Sequence, residues 1–274
     1  MKKHTLTFIL LLSLLGVKIK LNSQCFYNNN TIGTNSKLQS SGNAKLDLFL
    51  TNNLKNLAYP WAYNIDFGFS KGFNGQAIPY NFGEFDGKII LGKELMVFEF
   101  SKQGLAYQLP MGNYFAYAVL AHEFAHIIQF NHKELLFQDV VTQEIHADII
   151  AGYFLARFIH KNSGHQSKLS VLYSSDCSKI KTNLLINFGN LGDNAFWSSN
   201  HHGNYSTRSL AINEGMDIYF NKVGDGMILR DGQLIHDPNW DEMTEFEFWL
   251  LQRPSNGFSY GIETAKRLIQ LYDN

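Results

Sequence analysis

Cysteine is nearly absent from this 274-residue sequence; there are two, Cys25 and Cys177, and neither has the paired spacing of a zinc knuckle. An excess of positive charge is missing too. The chain has 23 Lys and Arg against 24 Asp and Glu, which leaves nucleic acid and anionic membrane surfaces without a basic patch to meet. Internal repeats and low-complexity blocks are absent. The amino-terminal apolar run, Leu6 to Val17, is shorter than the roughly 20 residues a membrane-spanning helix needs. What the sequence does have is an ordinary hydrophobic content of 45% and a high aromatic content of 14%, with 22 Phe and 13 Tyr. That is the material of a globular core.

Met1-Lys2-Lys3-His4 followed by the apolar run has the proportions of a secretory signal. Cleavage is expected near Asn22-Ser23-Gln24, which makes the chain an exported protein (periplasmic, cell-surface or secreted) with no stable membrane span after processing. Lys18 and Lys20 are unusual after such a run, so an uncleaved anchor is the alternative. Residues 1–23 hold four lysines and no acid, so the remainder carries 19 basic and 24 acidic residues, a net charge near −5. In an exported protein Cys25 and Cys177 could pair and tie the new amino terminus to the body. Acylation of Cys25 is the other option, although Asn22 and Gln24 fit a lipoprotein signal poorly.

Residues 24–43, rich in Asn, Ser, Thr and Gly, read as a lead-in that is either flexible or ordered on contact. Apolar residues at 46, 48–50, 54 and 57 predict a first helix over Ala44–Leu57, ending before Pro60. From Trp61 to Phe100 aromatics alternate with Gly, Asn and Asp, the pattern of short strands and tight turns. Asp86-Gly87 marks a turn and Lys88–Leu91 a strand; Met96–Phe100 fits a strand or a short helix. Further helices are expected over Tyr114–Phe130, from Gln138 or Thr142 to His160 with Thr142 as candidate cap, and over Ser175–Asn190, Tyr205–Val223 and Ile262–Tyr272. Leu191-Gly192-Asp193-Asn194 reads as a turn, and the glycines of 224–226 and 231–232 frame a hairpin. The economical reading is one α+β domain over 44–274, a small amino-terminal sheet and then a mostly helical body, with the 114–130 helix between them. The last stretch, 224–274, has no assigned role.

The chain is organised around Ala121-His122-Glu123-Phe124-Ala125-His126-Ile127-Ile128-Gln129. The surrounding run, Tyr114 to Phe130, has no proline or internal glycine, so it reads as a buried helix. Residues four apart share a helix face, so His122 and His126 aim their imidazoles at one point, as a zinc ion requires. Glu123 lies close enough to take the proton of a metal-bound water. Two core histidines that happen to fall four apart would look the same, so a third ligand has to decide.

Three residues compete for that role. His132 has the spacing of His-Glu-x-x-His-x-x-Gly-x-x-His, but Gln129 stands where that arrangement needs the sharp turn of a glycine. His236 sits in the Gly- and Asp-rich hairpin, where a lone histidine usually faces solvent. Glu144 is the better candidate. It opens the second long helix, and a short loop between antiparallel helices can bring it back over His122 and His126. Asp148, one turn on, could accept the spare ring N–H of a liganding histidine. His146 lies about 200° round from Glu144 and reads as structural.

These residues resemble the neutral zinc metallopeptidase family of bacteria, within the gluzincins. The matching positions are Ala121-His122-Glu123, His126 and Gln129; Glu144, Ala147, Asp148, Ala151 and Gly152; Gly192-Asp193; and His202-Gly203 with Arg208. The resemblance spans about 76–220. Ala125 departs from the family's usual glycine, and 224–274 matches nothing. The resemblance implies a zincin-like fold, Zn²⁺ as cofactor, His122, His126 and Glu144 as its ligands, and Glu123 as the base that activates water. The substrate class would be a peptide or protein. An oxyanion would need a further donor, for which His202, Tyr205 and Arg208 are candidates. Arg208 is the better fit as a partner of Asp148 or Asp193. Lys88–Leu91 could be the edge strand on which an extended peptide docks, or an ordinary core strand. The competing functions are a non-catalytic, zinc-stabilised binding or surface-assembly protein and a zinc hydrolase of cell-wall peptide.

Overall fold

A computed structural model describes residues 37–72, 75–79, 84–101, 111–132, 135, 139–164, 167–189, 203–223, 227–230, 233–236, 241–251 and 260–272. Helix α1 (Ala44–Ala58) turns Leu46, Leu50, Leu54 and Leu57 inward, which is the repeat expected of a one-faced helix. Three strands follow: β1 (Ile65–Ser70), β2 (Gly75–Pro79) and β3 (Gly87–Gly92). The sheet order is β1-β3-β2, with β3 parallel to β1 and antiparallel to β2. Lys88–Leu91 therefore lies in the central strand, bonded on both sides, and cannot offer a free edge; β2 is an edge of this sheet. Helix α2 (Lys93–Ser101) settles Met96–Phe100 as helical, with Leu95, Met96 and Glu99 buried at helical spacing.

Helices α3 (Met111–Asn131) and α4 (Val140–Asn162) form the centre. Every residue from Phe115 to Gln129 is buried, because α3 packs on β2, β3 and α1 as well as on α4. An all-round apolar helix has to be enclosed in this way. Beyond α4 come α5 (Lys168–Leu172), α6 (Ser175–Gly189) and α7 (Tyr205–Asp217), which continues into a π turn at Ile218–Lys222. A hairpin of β4 (Met227–Arg230) and β5 (Gln233–His236) precedes α8 (Glu242–Phe246), its π-turn extension Glu247–Leu251, and α9 (Tyr260–Tyr272). The molecule is thus α+β, a small sheet on the amino-terminal side and a helical body after it.

Helices α4 and α7 touch backbone to backbone. A Cβ on Gly152 would overlap the Ile212 carbonyl oxygen, and one on Gly215 would overlap that of Ile149. This approach brings the side chains of α7 against the α4 face that carries Glu144 and Asp148. The sequence-expected lead-in is described from residue 37 and is built in. Leu38 exchanges two 2.8 Å backbone bonds with Phe69, and Lys37 pairs with Asp66. The expected signal and Cys25 lie outside the described residues; Cys177 is buried with a free thiol. No described helix is long and apolar enough to cross a membrane.

Candidate metal centre

Helix α3 supplies His122, Glu123 and His126, which are 3%, 1% and 3% exposed. Helix α4 starts one turn earlier than Thr142 suggested, because the Asp139 carboxylate caps it by accepting the Thr142 N–H at 2.7 Å. Thr142 is therefore inside the first turn, and Glu144 faces the two histidines. His122 Nε2 stands 3.2 Å from Glu144 Oε2 and His126 Nε2 3.4 Å from Glu144 Oε1. The two Nε2 atoms are 3.2 Å apart. Bonds of about 2.0–2.1 Å to a tetrahedral ion give ligand–ligand edges of about 3.3–3.4 Å; each of the three separations is near that length, with the two imidazoles facing different oxygens of the one carboxylate. His122, His126 and Glu144 lie close enough to bind one metal ion.

Each imidazole is held from behind. His122 Nδ1 is 2.8 Å from Asp148 Oδ1, and Asp148 receives Arg208 Nε at 2.7 Å and Nη2 at 2.8 Å in a two-pronged pair. His126 Nδ1 is 2.8 Å from Gln129 Oε1. Gln129 Nε2 donates to the Gln143 carbonyl at 2.9 Å, which fixes the amide so that Oε1 is the atom left to accept. With each Nδ1 set against an acceptor, both Nε2 atoms face the Glu144 carboxylate, where a proton on His122 or a metal ion supplies the positive charge that the carboxylate needs.

Asp148 is fully buried, which by itself would raise its carboxyl; the Arg208 guanidinium and His122 outweigh that and hold it below the usual carboxylate range. Burial would likewise depress the His122 imidazolium, but Asp148 and Glu144 push it up to about 10. Burial pushes His146 down to about 4. In the metal-free protein these two histidines pull stability in opposite directions. A raised His122 stabilises fully below the ordinary value of about 6.5 and loses that contribution as pH climbs through about 10. His146, neutral when folded, loses its contribution as pH falls from about 6.5 toward 4. Chelator-treated protein should therefore melt highest near pH 6.5. In the metal-bound protein the ion takes the place of the proton on His122, so the decline above that pH should be absent. Melting temperatures across pH 4–10, with and without chelator, check both limbs; a flat profile above pH 6.5 without metal contradicts them.

The other candidates separate clearly. Helix α3 runs on through Gln129 to Asn131 instead of turning, so His132 is not part of the ligand group; its ring lies edge-on to Trp61 with centroids 5.8 Å apart. His236 belongs to β5, paired with Met227 across the hairpin. Arg208 is committed to Asp148. Tyr205 is 42% exposed at the start of α7, and no described contact joins it to the cluster. His202, Gly192, Asp193 and the expected turn at 191–194 lie outside the described residues. Sequence reasoning overlooked Gln129 as the holder of His126, although it stands three residues on, one turn along the same face. Beside the cluster, Gly75 at the start of β2 lies against Glu123: a Cβ there would overlap Glu123 Oε1. The edge strand is thus brought up to the Glu123 carboxylate.

Fold and site together define a mostly helical α+β protein with a buried His₂Glu cluster able to hold a metal ion. No family model, curated protein or solved structure matches the chain.

Proposed function

We propose that this chain is an exported zinc-dependent metallopeptidase of gluzincin type. The observation that carries the reading is the convergence of two imidazole Nε2 atoms on one carboxylate, with the Nδ1 of each ring set against an acceptor. Two nitrogens and one oxygen suit zinc, and three protein ligands leave a coordination position open, as in catalytic sites. A bound zinc ion supplies Lewis acidity that polarises a scissile carbonyl and acidifies water. Glu123, adjacent to His122 and packed against β2, takes the proton of the attacking water on its carboxylate and returns it to the leaving amine. The β2 strand beside Glu123, at the edge of the described sheet, is where an extended peptide would lie if it pairs its main chain with the sheet.

The near-complete burial of Glu123 favours a second reading, in which the metal only stabilises a binding module. Two measurements on the purified chain separate the readings. Metal analysis should find about one zinc per molecule, and His122→Ala with His126→Ala should retain none. The same protein should cleave an unfolded polypeptide such as casein, and a chelator should stop it. Zinc without chelator-sensitive cleavage would favour the binding module; no retained zinc would end both readings.

A further inference from the structure

The carboxy-terminal segment, which neither the motif nor the resemblance accounts for, reaches the cluster from 104 residues away. His146 Nε2 stands 3.0 Å from the Leu250 carbonyl oxygen. Leu250 lies in the last turn of the α8 extension. On the other side of the ring, His146 Nδ1 is 3.2 Å from Gln129 Nε2. His146 and Gln129 are fully buried, and so is Leu250. A main-chain carbonyl can only accept, so His146 must donate through Nε2–H and accept through Nδ1. Gln129 then donates to His146 and accepts from His126 Nδ1–H, and the lone pair of His126 is left on Nε2, toward Glu144. The bonds run one way from His126 to Leu250.

The segment that offers this carbonyl is firmly seated. Glu242 takes Arg157 Nε at 2.6 Å and the Tyr153 hydroxyl at 3.3 Å. The Phe246 ring stacks on Phe154 with centroids 5.2 Å apart. At the start of α9 the bare Cα of Gly261 backs the His146–Leu250 bond, since a Cβ there would lie 3.3 Å from the Leu250 oxygen and 3.4 Å from His146 Nε2.

We infer that the carboxy-terminal segment is a working part of the metal centre: together with the Gln143 carbonyl, the Leu250–His146 pair holds the Gln129 amide in the orientation in which His126 offers Nε2 to the ion. His146 is thus a positioning residue, two hydrogen bonds beyond the ligand His126. The inference rests on the metal-site reading, and the experiment keeps the two apart. Zinc affinity is measured by chelator competition for the whole wild-type chain, for His146→Phe and for His146→Asn. Loss of a ligand's own hydrogen-bond partner typically weakens metal binding by about 10–100-fold; because His146 acts through Gln129, which Gln143 also holds, His146→Phe should sit at the lower end, about 10-fold. His146→Asn, which keeps a polar acceptor near the place of Nδ1, should recover part of the loss. Equal affinity in wild type and His146→Phe overturns the inference while leaving the metal site standing. Absence of zinc from the wild type overturns the metal reading instead. The direction of the relay is tested without metal or mutation by the two-bond nitrogen–proton correlations of the histidine rings in wild-type protein. His146 should carry its proton on Nε2; a proton on Nδ1 overturns the relay, whether or not His146→Phe folds.

Discussion

Glu123→Gln should lower cleavage of an unfolded protein by about 10²–10⁴-fold, the usual contribution of a positioned general base, with zinc content unchanged. Glutamine keeps the shape of the side chain but cannot take a proton from water. The carboxylate is not among the three clustered ligands, so the ion has no reason to leave. The substitution also keeps the packing against Gly75, where β2 leaves no room for a larger rearrangement. Metal analysis and a casein-cleavage assay on the same sample give the result. Full activity in this variant would remove Glu123 from the chemistry, and loss of zinc would make it a ligand rather than a base.

Arg208→Met should cost about 3–5 kcal/mol of folding stability, because it strands a buried carboxylate without its counter-ion. Arg208 is 2% exposed and Asp148 fully buried, and the two-pronged pair is the bond between α7 and α4 at the level of the cluster. The same carboxylate holds His122 Nδ1, so the fold and the metal site share one group. The double variant Arg208→Met with Asp148→Leu removes both charges and should regain much of the stability, as apolar replacement of buried pairs does. It should not regain zinc affinity, because His122 has still lost its acceptor. Denaturant unfolding and chelator competition on the three variants read the two effects separately. A double variant as unstable as Arg208→Met, or one that binds zinc as the wild type does, would contradict the shared role.

Much of the architecture could be read in advance because it depends on local periodicity. The spacing of Leu46, Leu50, Leu54 and Leu57 announces α1, and the unbroken run around His122 announces α3. The alternatives that stayed open fall where local signals tie. Asp139 outcompeted Thr142 as a cap because both residue types can cap and only the path of the loop decides. Lys88–Leu91 has the composition of a strand wherever it sits in a sheet; its central place follows from β1 and β2 pairing on both sides. Gln129 stands out in the sequence for the glycine it replaces, whereas its bond to His126 depends on a side-chain orientation that spacing does not record.

By itself the sequence determined the α3 half of the site. Three positions within one helical turn, His122, Glu123 and His126, are placed by the 3.6-residue repeat alone. It also weighed Glu144 above His132, since a helix that passes through Gln129 without a glycine cannot turn back. Only the tertiary structure decided how the site is completed. It brought Glu144 onto the two imidazoles, joined Asp148 to Arg208 across 60 residues, and carried Leu250 to His146 across 104. Such contacts depend on where whole helices pack, which here follows from the glycine-to-backbone approach of α4 and α7 and the seating of α8 on α4. Periodicity along one helix carries no record of that distance.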